Sequence, residues 1–115
     1  MKIVSNTGPI IGLAKIGLLF ILNRLASEVV IPPMVHKELL GKIGGDVLVL
    51  MDDRAGRQIA SRLNISVSGI VGLLLLAKEK GVLEKIAHHL EGLRAEGYWL
   101  SDEVIKVARK IAGEN

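Results

Sequence analysis

Asp46-Val47-Leu48-Val49-Leu50-Met51 runs without a polar break after its first residue and opens directly onto Asp52-Asp53-Arg54. An unbroken apolar run of strand length suits a strand covered on both faces, which is the condition of a parallel sheet. The sequence on either side repeats the pattern. Upstream, Lys2 to Ser5 is a short β-rich run ended by Asn6-Thr7-Gly8-Pro9, where glycine permits a turn and proline suits a first helical position. The helix that follows is expected to continue through Leu25. Glu28 to Ile31 is a second strand, closed by Pro32-Pro33, with Pro33 opening a helix through Leu40. Gly41 to Gly45 then connects that helix to the apolar run. Downstream, Asp52 or Asp53 caps a helix from Arg54 to Leu63, a short strand follows at Asn64 to Val67, and a Ser68-capped helix ends near Gly81. Helices over about 82–96 and 102–112 complete the chain, the last capped by Ser101, with Asp102 and Glu103 complementing its dipole. The alternation predicts an α/β domain with a small parallel sheet of about four strands covered by helices.

A length of 115 residues fits one domain, 1–115, with no room for a second core. Half the residues are hydrophobic, but the aromatic ones are only Phe20, Tyr98 and Trp99, so the core must be aliphatic. That composition excludes disorder. The absence of cysteine excludes a disulfide framework, a zinc ribbon and thiol catalysis, and makes a cytoplasmic setting the default expectation. The net charge is +3, all of the excess lying before residue 46, which permits a polyanionic partner without the dense basic stripe that non-specific nucleic-acid binding usually shows. The apolar stretches Pro9 to Leu22 and Gly69 to Ala77 are too short to span a bilayer and are read as buried helices, so no membrane association is expected.

In an open parallel sheet, chemistry gathers beyond the carboxyl ends of the strands. Two polar turns fall there, Ser5-Asn6-Thr7 and Asp52-Asp53-Arg54. Paired acids at a strand end can hold a hard divalent cation, which in turn activates water for phosphodiester cleavage. The same aspartates equally suit an ordinary helix cap. Arg54, Arg57 and Arg62 form either a phosphate-contacting rim or a solvated helix face.

His36 and the pair His88-His89 lack a third ligand at zinc-site spacing, and neighbouring histidines on a helix are expected to point apart. Tyr98 and Trp99 are expected to fill a gap between helices rather than stack on bases. A rival reading takes Arg57 to Ser68 and the helix behind it as a helix-turn-helix DNA reader. The second helix, apolar on every face from Gly69 to Ala77, fits a core or an interface better than the major groove.

Ile3-Val4-Ser5-Asn6-Thr7-Gly8-Pro9-Ile10-Ile11 with Ala14-Lys15-Ile16-Gly17-Leu18-Leu19 resembles the opening of PIN-domain proteins of the DUF3368 group, relatives of VapC-type toxins. Val30-Ile31-Pro32, Lys37-Glu38-Leu39, Leu50-Met51-Asp52-Asp53-Arg54, Leu74 to Gly81 and Gly97-Tyr98-Trp99-Leu100-Ser101-Asp102-Glu103 follow in the family's order. The resemblance implies a parallel-sheet fold and a site in which carboxylates bind magnesium or manganese to cut RNA. Glu38 matches the family's helical acid, and Asp52 with Asp53 its late acidic turn. Asn6 stands where the family has its first aspartate, and a middle region carrying another acidic helix is missing around Gly41 to Gly45.

The expected protein is therefore a shortened PIN-like, metal-dependent endoribonuclease, the toxin of a toxin–antitoxin pair. Asp52, Asp53 and Glu38 are catalytic, Asn6 joins them as metal ligands, and Thr7, Arg54 and Arg57 touch the RNA. The alternative is a degenerate relative that binds RNA or a protein partner without cutting. Apolar surface uncovered by the missing region predicts a homo-oligomer, most simply a two-fold dimer, through the Gly69–Ala77 helix.

Overall fold

A computed structural model describes residues 1–31, 47–51 and 66–115. Their order is β1 (Lys2–Ser5), α1 (Thr7–Lys15), α2 (Phe20–Leu25), β2 (Glu28–Val30), β3 (Val47–Leu50), β4 (Ser66–Ser68), α3 (Ile70–Glu79), α4 (Ala87–Ala95) and α5 (Asp102–Ala112). The expected helices at 33–40 and 54–63, the 41–45 connector and the Asp52/Asp53 cap lie outside the described residues.

The strands form one four-stranded sheet in the order β2-β1-β3-β4, parallel throughout. In register, Ile3 lies beside Leu48, Val4 beside Val49 and Ser5 beside Leu50. Since side chains alternate across a strand, Ile3 and Leu50 point to one face and Val4 and Val49 to the other. All four are buried, as the unbroken apolar run requires. Ile3 and Leu50 join the aliphatic core with Leu13, Ile21, Leu73, Leu74, Ile86, Leu90 and Leu93. Helix α3 packs against α1 and α5, and α4 against α1 and α5.

Three expectations are corrected. The first helix does not reach Leu25: it stops at Lys15, and α2 starts afresh at Phe20. Gly17 takes φ +72 between them, a left-handed conformation that ends a helix and that glycine adopts without a Cβ penalty. Helix α4, expected from about 82, begins at Ala87, because Leu83 and Ile86 are buried in irregular chain after α3 ends. The cap of α3 is Gly69 rather than Ser68, with no side-chain hydrogen bond. At α5 the reading holds, with Ser101 Oγ accepting from the Val104 N–H at 3.1 Å.

Candidate functional site

β1 and β3 are neighbours and finish level, so Asn6 follows β1 at the same end of the sheet where Met51 follows β3. The backbone N–H of Asn6 donates to the Leu50 carbonyl at 3.2 Å and extends the ladder one step past the end of β1. Asn6 then serves as the N-cap residue of α1 with extended backbone, but its side chain makes no capping bond and its Oδ1 is shielded from solvent. Ser5, fully buried, donates its hydroxyl to the Asn6 carbonyl at 2.7 Å and fixes the turn from below. Thr7 is exposed as the first residue of α1. Pro9 comes two residues later than the first helical position expected of it, still within the first turn, where its missing N–H leaves no bond unmade.

Met51, almost fully buried, continues from β3 toward Asp52. Asp52, Asp53, Arg54, Arg57 and Glu38 lie outside the described residues, as do His36 and Arg62. Among the candidate residues, the described part thus brings Asn6 and Thr7 to the end of β3. Among the described residues no three His, Asp or Glu side chains converge as a metal site. The expected ligands Glu38, Asp52 and Asp53 lie outside the described residues; three carboxylates and an amide oxygen are donors of the kind a hard divalent cation takes. The solvent-shielded Oδ1 of Asn6 at the strand edge is in keeping with that chemistry.

The same edge includes Gly69, where β4 gives way to α3, and an open cavity of about 600 Å³ there is bounded by Gly69, Gly72, Tyr98, Trp99 and Val104. The expectation that both late aromatics fill a gap holds only for Tyr98. A Cβ added at Gly12 of α1 would lie 3.2 Å from the Tyr98 ring, so the ring occupies the place left by the missing side chain. Trp99 is 81% exposed and fills nothing. Its neighbour in sequence faces inward, and a single step along an irregular segment turns it out. Its exposure left no trace in the sequence, because an isolated Tyr-Trp pair has no periodicity to read.

The perturbed groups lie elsewhere. Burial works to raise the Glu114 carboxyl, but hydrogen bonds from Lys78, Ala87 and Ile86, with the Lys78 charge, outweigh it and hold the group at about 2. Lys78 belongs to the last turn of α3, the end remote from Gly69. His89 is pushed below its ordinary value by burial and by His88, against an opposing pull from Glu114. The rings of His88 and His89 do not point apart as expected but lie 3.8 Å centre to centre. Arg94 is held charged by its hydrogen bond to Asp102, at 2.6 Å.

The helix-turn-helix reading loses its second helix here. Ile70, Leu73, Leu74 and Ala77 of α3 are buried in the core, and a strand precedes it.

A family model described as DUF3368: PIN domain matches residues 2–47 and 40–114. The chain belongs to this PIN-domain family. The two matched stretches of the PIN domain overlap at 40–47, the segment where the sequence places a shortened middle region. PIN domains generally use divalent metals, and the family points to a nuclease-type function. Neither the curated proteins nor the solved structures compared with the chain gave a match. No helix among the described residues is long and apolar enough to cross a membrane.

Proposed function

We propose that this PIN domain, residues 1–115 as a single unit, is a metal-dependent endoribonuclease. The observation that carries the reading is the shared edge. Asn6 is bonded to Leu50, two residues before Asp52, so the neutral oxygen donor and the acidic turn leave neighbouring strands together. Asp52, Asp53 and Glu38 would hold magnesium or manganese, with the side-chain Oδ1 of Asn6 as an uncharged fourth donor. The ion, when bound, supplies an activated water and counter-charge for phosphodiester cleavage. Thr7 at the exposed start of α1, with Arg54 and Arg57, contacts the phosphates of the RNA and fixes its register. The protein works in the cytoplasm as the toxin of a toxin–antitoxin pair and assembles as a two-fold dimer.

A second reading is favoured by Asn6 itself. One negative ligand fewer weakens a hard-cation site, and a chain so altered binds RNA or a protein partner without cutting. Calorimetric titration of manganese beside an RNA cleavage assay separates the two. The nuclease reading expects metal-dependent cleavage that disappears in Asp52→Asn/Asp53→Asn. Cleavage that survives in that variant, freed of contaminating nucleases, overturns the site; RNA binding with no cleavage at any metal concentration establishes the second reading.

A further inference from the structure

Helix α5 is amphipathic in an unusual way. Ile105 and Ala108 turn into the core, as one face of a packed helix must. Val104, Val107 and Ile111 nevertheless stay 40%, 46% and 67% exposed. At about 100° per residue these three form a single stripe, rotated about a quarter turn from the buried face. The stripe borders an open cavity of about 660 Å³ between α3 and α5, where Gly72, Leu75 and Leu76 meet Ile111. Leu75 and Leu76 are only half-buried, so the groove extends the apolar surface beyond the Ile111 end of the stripe, with Lys78 and Glu79 also lining it. Monomers seldom leave such a surface in water.

The charges beside the stripe identify what covers it. Glu103 and Lys110 are seven residues apart and therefore lie on the same flank, in the first and last turns of α5. Both are exposed, and neither forms an ion pair with another described residue, whereas Asp102 is taken by Arg94. In an antiparallel pair related by a two-fold axis, equivalent flanks meet. When Val107 packs against its own copy, Val104 falls opposite Ile111 and Glu103 opposite Lys110. Parallel two-fold packing would put the two flanks on opposite sides of the seam, where Glu103 and Lys110 of the two copies do not meet.

We propose that α5 is the centre of a two-fold interface with a second copy of this chain, Val104, Val107 and Ile111 packing antiparallel against themselves and Glu103 of each copy pairing with Lys110 of the other. The proposal rests on the two-fold assembly above and is independent of the nuclease reading. It also moves the centre of the interface off the expected Gly69–Ala77 helix: Leu74 there is fully buried in its own chain, so Leu74→Lys would disrupt the core and report nothing about association.

Sedimentation velocity across the micromolar range tests it. Val107→Glu, at the centre of the stripe, should weaken dimerisation about 100-fold or more with helical circular dichroism unchanged. Glu103→Lys and Lys110→Glu should each weaken it by about tenfold at low salt, through one like-charge contact at each symmetry-related site. The combined exchange should restore the parent affinity. These last two positions are fully on the surface, so the test survives a Val107 variant that fails to fold. A chain monomeric at all concentrations overturns both the assembly and its face, as does one that associates only with a different protein. A dimer indifferent to Val107→Glu, or charge variants not rescued by their combination, overturns the face while leaving the assembly standing.

Discussion

The Asn6 N–H reaches the Leu50 carbonyl at 3.2 Å, so the first residue beyond β1 is tied to the last residue of β3 by a backbone hydrogen bond. Because that bond does not involve the side chain, position 6 can be changed without releasing the strand end. Asn6→Asp should therefore keep the fold and add a negative ligand at the proposed site. We expect manganese affinity to rise by about an order of magnitude, read by calorimetry, since ligand charge tunes hard-cation affinity. An affinity unchanged or lower in this variant means that the side chain does not face the ion.

Glu114 joins parts of the chain that are far apart in sequence. Its carboxylate accepts from Lys78 Nζ at 2.8 Å, from the Ile86 N–H at 2.9 Å and from the Ala87 N–H at 3.0 Å, so it caps the start of α4 and closes the end of α3. Removing the acceptors in Glu114→Ala should cost roughly 1–3 kcal/mol, measured by urea denaturation at neutral pH.

The same carboxyl makes stability depend on acid. Its pKa in the fold is about 2, below the ordinary 4.5, so the folded state favours the charged form. The contribution is complete above about 4.5 and disappears as pH falls toward 2. Glu114→Gln should start from a lower melting temperature at neutral pH and lose less of it than the parent across that window. Parallel decline of parent and variant would assign the acid sensitivity to other groups.

Two glycines of the first helical segment separate backbone from packing effects. At Gly17 a Cβ meets nothing within 4 Å, but φ is +72, so Gly17→Ala should cost roughly 1–2 kcal/mol from conformation alone. At Gly12 the backbone is helical, and the obstacles are the Ile70 Cδ1 atom, 2.9 Å from an added Cβ, and the Tyr98 ring at 3.2 Å. That methyl ends a flexible side chain, and alanine gains about 1 kcal/mol in helix propensity over glycine. Gly12→Ala should therefore be near neutral, while Gly12→Leu overpacks against Ile70 and Tyr98 and should lose at least about 2 kcal/mol. Thermal melts of the three variants give the comparison.

The elements most legible in the sequence were those whose signal is local. Ser101 with Asp102 and Glu103 announced α5 because a cap and a dipole need only four consecutive residues. Lys2–Ser5 and Val47–Leu50 stood out by apolar run and turn chemistry, and both are strands as read. What escaped was decided at a distance. Gly17 is one glycine in an apolar stretch, and its left-handed φ follows from how α1 and α2 must each reach the core. The start of α4 is fixed by a carboxylate at position 114, far downstream of any window that reads residues 82–96. At the candidate site, strand register explains why Asn6 lies beside the exit of β3; no local pattern contains that information.

The position of β1 has a consequence for how the chain is made. This strand is interior to the sheet, with β2 on one side and β3 on the other, yet it precedes β3 by the whole of α1, α2 and β2. A nascent chain released only to residue 46 holds at most the β1–β2 pair, and two short strands are marginal in water. Ile3 and Val4 then wait on the ribosome with one edge open, because parallel pairing must close a long loop before it is rewarded. Sheet assembly thus waits for β3 to be made, and until then the open edge of β1 is a surface for a nascent-chain chaperone.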